Sequence, residues 1–224
     1  MLDIRAALPG EVEAIAEVRA AAWPGEAVRP DYMLRCVESA EHAVLVAEAD
    51  GRIVGFVDGF MTTAPDGTQR WEIDLLAVHP GYQGRGMGAA LVKAAYESGR
   101  RRGADRARAL VHVENVGSQR TFARCGFVPQ NSTSRLYVAS PSDEGIDAGD
   151  ADGLHLIAVQ TFSYRGLWLE GRLNAAALKG GRAECARRSF DLAGAVIPLG
   201  QPEALGAAEQ LRFEVIGDYE WWTR

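Results

Sequence analysis

The spacing of apolar positions changes several times along the chain, and each change marks an element. Val12, Ile15, Ala16, Val18 and Arg19 recur at helical intervals, after a short extended run at Leu2–Ala6 and before the stop at Pro24-Gly25. Glu11 and Glu13 stand where carboxylates suit the positive end of a helix dipole. A second helix is predicted over Asp31–Ser39. The period then shortens. Val44–Ala47 and Ile53–Phe60 flank Ala49-Asp50-Gly51-Arg52, and Asp-Gly between apolar runs predicts an antiparallel hairpin, because glycine accepts the positive φ of its turn. A polar loop, Thr62–Thr68, leads to a third extended run, Gln69–Val78. Beyond it the pattern predicts a helix at Ala89–Arg102, a strand at Arg106–Val113, a short helix at Asn115–Cys125, and strands at Phe127–Pro129 and Arg135–Val138.

Residues 140–153 are polar and acidic with almost no large apolar side chains, the composition of a linker between a first domain, 1–139, and a second, 154–224. The second begins with strand-like Leu154–Phe162 and Gly166–Leu169. A helix over Arg172–Arg188, a strand at Ala195–Leu199, a helix over Glu203–Gln210 and a last strand from Leu211 follow. About seventy residues is small for an independent core, so this α+β segment is expected to pack on the first domain or on a second copy of the chain, as a homodimer. Tyr219-Glu220-Trp221-Trp222 is too apolar to hang in solvent. Packing on a sheet is the expectation, with a dimer interface or a wall of an acceptor pocket as alternatives. No internal repeat is evident.

Composition narrows the function classes. The 224 residues carry a formal net charge of −6, which argues against a nucleic-acid partner, since that requires a basic face. Cys36, Cys125 and Cys185 are scattered without CxxC spacing, so neither a disulfide framework nor a metal site is expected. The first residues lack the basic-then-apolar order of a secretory leader, and no apolar run is long enough to span a bilayer. The expected setting is cytoplasmic, without a membrane partner.

The candidate chemistry lies in WEIDLLAVHPGYQGRGMGAALVKAAY, a strand, a loop with alternate glycines and a helix. Gly84, Gly86 and Gly88 lack Cβ atoms, so backbone N–H groups there can approach an anion, and the helix start adds its own unpaired N–H groups. A bare turn is one reading. A dinucleotide fingerprint is a second, since Gly84-x-Gly86-x-x-Ala89 fits its relaxed form. Against it, His79–Gln83 separates strand from first glycine, and Asp105 precedes the next strand instead of ending it. A nucleotide P-loop is excluded by the missing GK[ST].

A third reading accounts for more of the chain. Gln83-Gly84-Arg85-Gly86-Met87-Gly88 resembles the Q/R-x-x-G-x-G/A motif of the GNAT superfamily of acetyltransferases, which use acetyl-CoA. Downstream, Asn115-x-x-Ser118-x-x-x-Phe122-x-x-x-Gly126-Phe127 is similar to that family's second segment, N-x-x-A-x-x-x-Y-x-x-x-G-F. The resemblance covers roughly residues 1–140. It implies a mixed central sheet flanked by helices, with strands Gln69–Val78 and Arg106–Val113 splayed around the pantetheine arm. In that mapping the backbone at Leu76, Ala77 and Val78 contacts pantetheine, N–H groups from Gln83, Gly84, Arg85, Gly86, Met87 and Gly88 hold the pyrophosphate, and Asn115, Ser118 and Phe122 line the other side of the arm.

Acetyl transfer to an amine needs a base, because an alkylammonium has a pKa near ~10.4. Glu72 and Asp74 share one face of their strand. Glu72 stands eleven residues before Gln83, where some protein-acetylating members of the family carry their catalytic glutamate, and is the first choice; Asp74 is the second. Binding a cationic acceptor or pairing with an arginine is the competing role for either. Phe122 departs from the family's tyrosine, thought to protonate the leaving thiolate, although a thiol of pKa near ~8.5 leaves adequately unaided. Tyr82 and Cys125 are the substitutes within reach, each better explained structurally, and Trp23 is either core or pocket wall. The expectation is an N-acetyltransferase acting on an amine of a small molecule or peptide. The alternative is a catalytically inactive acyl-CoA-binding regulatory module.

Overall fold

The computed structural model describes residues 2–143 and 153–224, so the predicted linker falls largely on residues 144–152, outside the described residues. The first part contains β1 (Asp3–Ala6), α1 (Val12–Ala22), α2 (Pro30–Glu38), β2 (Leu45–Ala49), β3 (Arg52–Thr63), β4 (Gln69–Val78), α3 (Met87–Arg101), β5 (Arg106–His112), α4 (Val116–Arg124) and β6 (Val128–Ala139). The second contains β7 (Leu154–Gln160), β8 (Arg165–Gly171), α5 (Ala175–Arg187), β9 (Leu192–Pro198), α6 (Pro202–Gln210) and β10 (Glu214–Thr223). The β2–β3 hairpin forms as its sequence predicts, with Asp50 at φ 54° and Gly51 at φ 72°. One boundary differs. The two strands predicted at Phe127–Pro129 and Arg135–Val138 are one strand, β6, because pairing with β10 holds the polar stretch between them extended.

The ten strands of the described residues form one mixed sheet in the order β1-β2-β3-β4-β5-β10-β6-β9-β8-β7. Residues 154–224 therefore have no sheet of their own: β10 lies between β5 and β6, and β9, β8 and β7 extend the far side.

The order contains a repeat that the sequence hides. The series β3-β4-α3-β5-α4-β6 recurs as β7-β8-α5-β9-α6-β10. In each half the first two strands are antiparallel, the next pairing is parallel, and the connection between the parallel strands is a helix. Strands starting at 106 and 192, helices at 116 and 202, and final strands at 128 and 214 are each offset by 86 residues. The corner before the second parallel strand is built alike as well. The Asp105 carboxylate accepts from the Gln69 N–H at 2.9 Å, and the Asp191 carboxylate from the Arg165 N–H at 2.7 Å. Left-handed backbone recurs at Gly103 and Ser189, and at Gly126 and Arg212. Different residues fill equivalent positions, which is why composition and spacing show no repeat.

The halves exchange their last strands: β10 pairs with β5, and β6 with β9. The cores follow the exchange. Trp222 of β10 is buried with Trp71, Leu91, Val92, Phe122 and Phe127 around α3 and α4, whereas Tyr137 and Ala139 of β6 are buried with Leu167, Leu169 and Leu178 around α5 and α6. Both helices come close to the sheet through a glycine. A Cβ at Gly99 would fall 2.4 Å from Trp71, and one at Gly181 would fall 2.3 Å from Leu169. A third cluster joins α1 and α2 to the second half, with Phe162 stacked on Phe56 at 5.5 Å. Arg19, which follows the apolar face of α1, is buried and donates to the Phe162 carbonyl and the Ser163 hydroxyl.

Candidate active site

The sheet opens at one place in the first half. The β4–β5 ladder covers only Arg70–Glu72 against Arg106–Arg108, while β5 continues along β10 on its other side. On β3, Asp58 pairs with Leu75 and Gly59 with Ile73, so Asp74 is an extra, unpaired residue in β4. Such a bulge bends the strand and re-aims its side chain. Beyond it Leu76, Ala77 and Val78 pair only with β3, through Val57, Phe56 and Gly55. The β5-facing edge of β4 is thus open along the segment expected to meet pantetheine.

The glycine loop closes this strand. The His79 ring accepts from the Gly81 N–H at 3.1 Å, and the Gln83 amide donates to the Val78 carbonyl at 3.0 Å. Gly84 and Gly86 adopt φ 76° and 83°, which only glycine takes without strain, and no atom lies within 4 Å of a Cβ at either. Gly86 is the N-cap of α3, and no side chain caps that helix. Its first-turn N–H groups therefore face the open side of the loop, a ready anion site. Met87 is buried in the core and offers only its backbone, whereas Gly88 is in ordinary contact with Thr121. The exposed Arg85 donates to the Gly81 carbonyl and stands over the Tyr82 ring. Asn115 is the N-cap of α4, accepting from the Ser118 N–H at 3.0 Å. Phe122 is buried against Phe127, rings 5.2 Å apart. Cys125 is buried with its thiol donating to the Ala89 carbonyl, and Trp23 packs beside the α1–α2 core. These residues fit the pyrophosphate and arm of an acyl-CoA, by the uncapped helix, the open glycines and the free strand edge.

The acids face a cavity of about 650 Å³ shared by the halves. Glu72, Asp74 and Arg108 line it from β4 and β5, Trp168 and Glu170 from β8, Tyr164 from the preceding turn and Trp221 from β10. Glu72 is 2% exposed and fully engaged. It accepts from Arg108 at 2.8 Å and from the Thr62 hydroxyl, and Arg70 lies 3.7 Å away. The same arginines hold Glu170, Arg70 at 2.8 Å and Arg108 at 2.6 Å. Burial pushes the Glu72 carboxyl up against the pull of Arg108; Glu170 is held low by Arg108 and Arg70 against its own burial. Two carboxylates and two guanidiniums make a neutral quartet across the halves. Arg108 also lies 4.0 Å over the Trp221 ring.

Asp74 is different. It is half-buried, and among the described residues no hydrogen bond or ion pair engages its carboxylate. Burial, and then the charge of Asp58, pushes it up to about 7, the range of a general base at neutral pH. Behind it Asp58 is fully buried and bonded to the His42 Nδ1 at 3.0 and 3.1 Å. Burial pulls the His42 imidazole down, but the hydrogen bond and charge of Asp58 outweigh it and leave it raised. Cys36 brings its sulfur into this group, whose donor atoms all lie within 4.8 Å of one another.

The residues that sequence reasoning did not find are Arg108, Tyr164, Trp168 and Glu170. Their signal was weak: a charge inside a strand, and aromatics in a segment expected to be separate. Trp221 and Trp222 alternate in β10, so one lines the cavity and the other the core, joining two roles weighed as rivals.

Residues 12–127 match the acetyltransferase (GNAT) family. An aminoglycoside N(6')-acetyltransferase type 1 of Stenotrophomonas maltophilia is 31% identical over 129 residues, 55% of this chain and 84% of that one. A Salmonella typhimurium structure, yncA, solved with its cofactor acetyl-CoA, superposes with a TM-score of 0.51 at 26% identity, covering 60% of this chain and 83% of that one. A tandem GNAT protein from the clavulanic acid biosynthesis pathway covers 100% of this chain and 98% of its own, with a TM-score of 0.59 at 15% identity, a likeness of fold. Among the described residues no helix is long and apolar enough to cross a membrane.

Proposed function

The chain belongs to the GNAT acetyltransferase family, and from that premise we propose that it transfers an acetyl group from acetyl-CoA directly to an amine, with Asp74 as the general base. The observation that carries this reading is an unpaired carboxylate at the bulge where β4 and β5 part, on the strand whose following loop ends in an uncapped helix N-terminus. Leu76, Ala77 and Val78 would hold the arm of the donor, and the N–H groups from Gln83 to Gly88 its pyrophosphate. The bound donor supplies a thioester carbonyl: the N–C bond forms, the C–S bond breaks, and amide and CoA thiol result. Asp74 takes the proton that frees the amine lone pair. The nitrogen's second proton balances the departing thiolate, which needs no acid of its own. Glu72 serves as a strut, because its lone pairs are taken by Arg108 and Thr62. The name of the Stenotrophomonas relative supports an amine as acceptor.

The test is thiol release with acetyl-CoA and a panel of amines, with acetyl-CoA binding followed separately by thermal unfolding. Turnover lost in Asp74→Asn but kept in Glu72→Gln, both with donor binding intact, is the expected result. The reverse pattern would return the base to Glu72. Donor binding without turnover in the unmodified chain would favour an acyl-CoA-binding regulatory module.

A further inference from the structure

The cavity between the halves has a wall composition that restricts the acceptor. Of its charged lining residues, Glu72, Glu170 and Arg108 belong with Arg70 to the neutral quartet and have no charge left to offer. Among the described residues, Asp74 is the one remaining carboxylate on the lining. Away from it the wall is mainly apolar: the Ser163 and Tyr164 hydroxyls are already bonded to Arg19 and Trp168, and Gln201 is the other polar side chain on the lining. Leu136 of β6 and Val196 of β9 face each other across paired strands, and Leu110, Leu169, Trp168 and Trp221 close the sides. A bound hydroxyl or second ammonium set against the Leu136–Val196 patch would lose its water with no partner there, at a cost of several-fold or more in affinity for each group.

We propose that the acceptor is a molecule with a single primary amine on an apolar body, the amine at Asp74 and the body against the Leu136–Val196 wall supplied by the exchanged strand and the second half. This rests on the acetyl-transfer reading above and narrows its acceptor. It also gives the second half a role: it carries no counterpart of the glycine loop, and instead supplies much of the wall that selects the acceptor.

The experiment uses the full chain with acetyl-CoA and measures thiol release for n-alkylamines from propylamine to octylamine, beside phenethylamine, spermidine and kanamycin. Each methylene buried in such a wall is worth about 0.8 kcal/mol, so kcat/KM should climb roughly three- to fourfold per carbon until the cavity is filled. Phenethylamine should exceed spermidine and kanamycin by tenfold or more. Val196→Glu, which adds a carboxylate to the β9 side of the wall, should lower the rate with octylamine and raise it with 1,8-diaminooctane. A flat or falling series, or a preference for spermidine or kanamycin, overturns the inference and leaves acetyl transfer standing. No thiol release with any amine while acetyl-CoA still binds overturns the transfer reading and this inference with it.

Discussion

Each half of the molecule runs a strand into a helix before the next parallel strand, and the two junctions have opposite designs. After β4, eight residues precede α3, two glycines in the left-handed region hold the backbone open, and no side chain caps the helix. After β8, three residues precede α5, and the Asn174 side chain accepts from the Ala177 N–H at 2.9 Å. The first junction leaves its helix N–H groups for a ligand, while the second satisfies them locally. In the function proposed above, the same repeat serves once as a donor site and once as a scaffold. The lesson is that the path of a strand and helix does not by itself make an anion site; unmet hydrogen bonds do.

The most drastic way to break the comparison is to separate the halves. A chain ending at residue 143 would lose β10, the strand between β5 and β6, together with the buried Trp222. It should show no cooperative thermal unfolding by circular dichroism, whereas a self-sufficient first domain would melt sharply. Next in size is the base. Asp74→Asn should reduce kcat by about 10²–10⁴ with acetyl-CoA binding unchanged. In the unmodified protein, kcat/KM should rise with pH through about 7, as Asp74 loses its proton. The same carboxyl carries a stability cost. Unfolded, it ionises near its ordinary value of 3.8, but folded it keeps its proton to about 7, so its favourable contribution is full at acid pH and lost as pH rises through that window. Asp74→Asn should therefore unfold at a higher temperature than the parent at pH 8 and match it near pH 4, a trade of stability for activity.

Arg108 tests the seam between the halves. Arg108→Met leaves Glu72 buried with the Thr62 hydroxyl and only the more distant Arg70 for a countercharge, and should cost about 3–5 kcal/mol in urea unfolding. A change below about 1 kcal/mol would mean the quartet does not bind the halves together. The two junctions then separate by smaller effects. Gly86→Ala forces an L-residue into the left-handed region and should weaken acetyl-CoA binding about tenfold by calorimetry. Asn174→Ala should leave donor binding unchanged and lower stability by about 1 kcal/mol, the worth of its cap.

Features set by neighbours in the chain were legible beforehand. Asp50-Gly51 announced its hairpin, Gly84 and Gly86 their open loop, and the alternation of Gln69–Val78 put Glu72 and Asp74 together. Each depends on backbone conformation or side-chain period within a few residues. The resemblance of the glycine loop and the Asn115–Phe127 segment to the acetyltransferase family rests on signals of the same local kind.

Long-range pairing decided the remainder. Nothing near Glu72 in the sequence reveals that Arg108 and Thr62 engage it, nor that a register shift against β3 leaves Asp74 the free acid. The ladder that puts β10 between β5 and β6 joins residues far apart along the chain, and it sets Trp221 on the cavity that Asp74 also lines and Trp222 in the first half's core. A carboxylate's role depends on its partners and its access to water, and both are fixed only when strands distant in sequence meet. The sequence by itself determined a glycine loop, a family and a pair of candidate acids; the tertiary structure paired one of the acids, left the other unpaired, and lined one cavity from two halves.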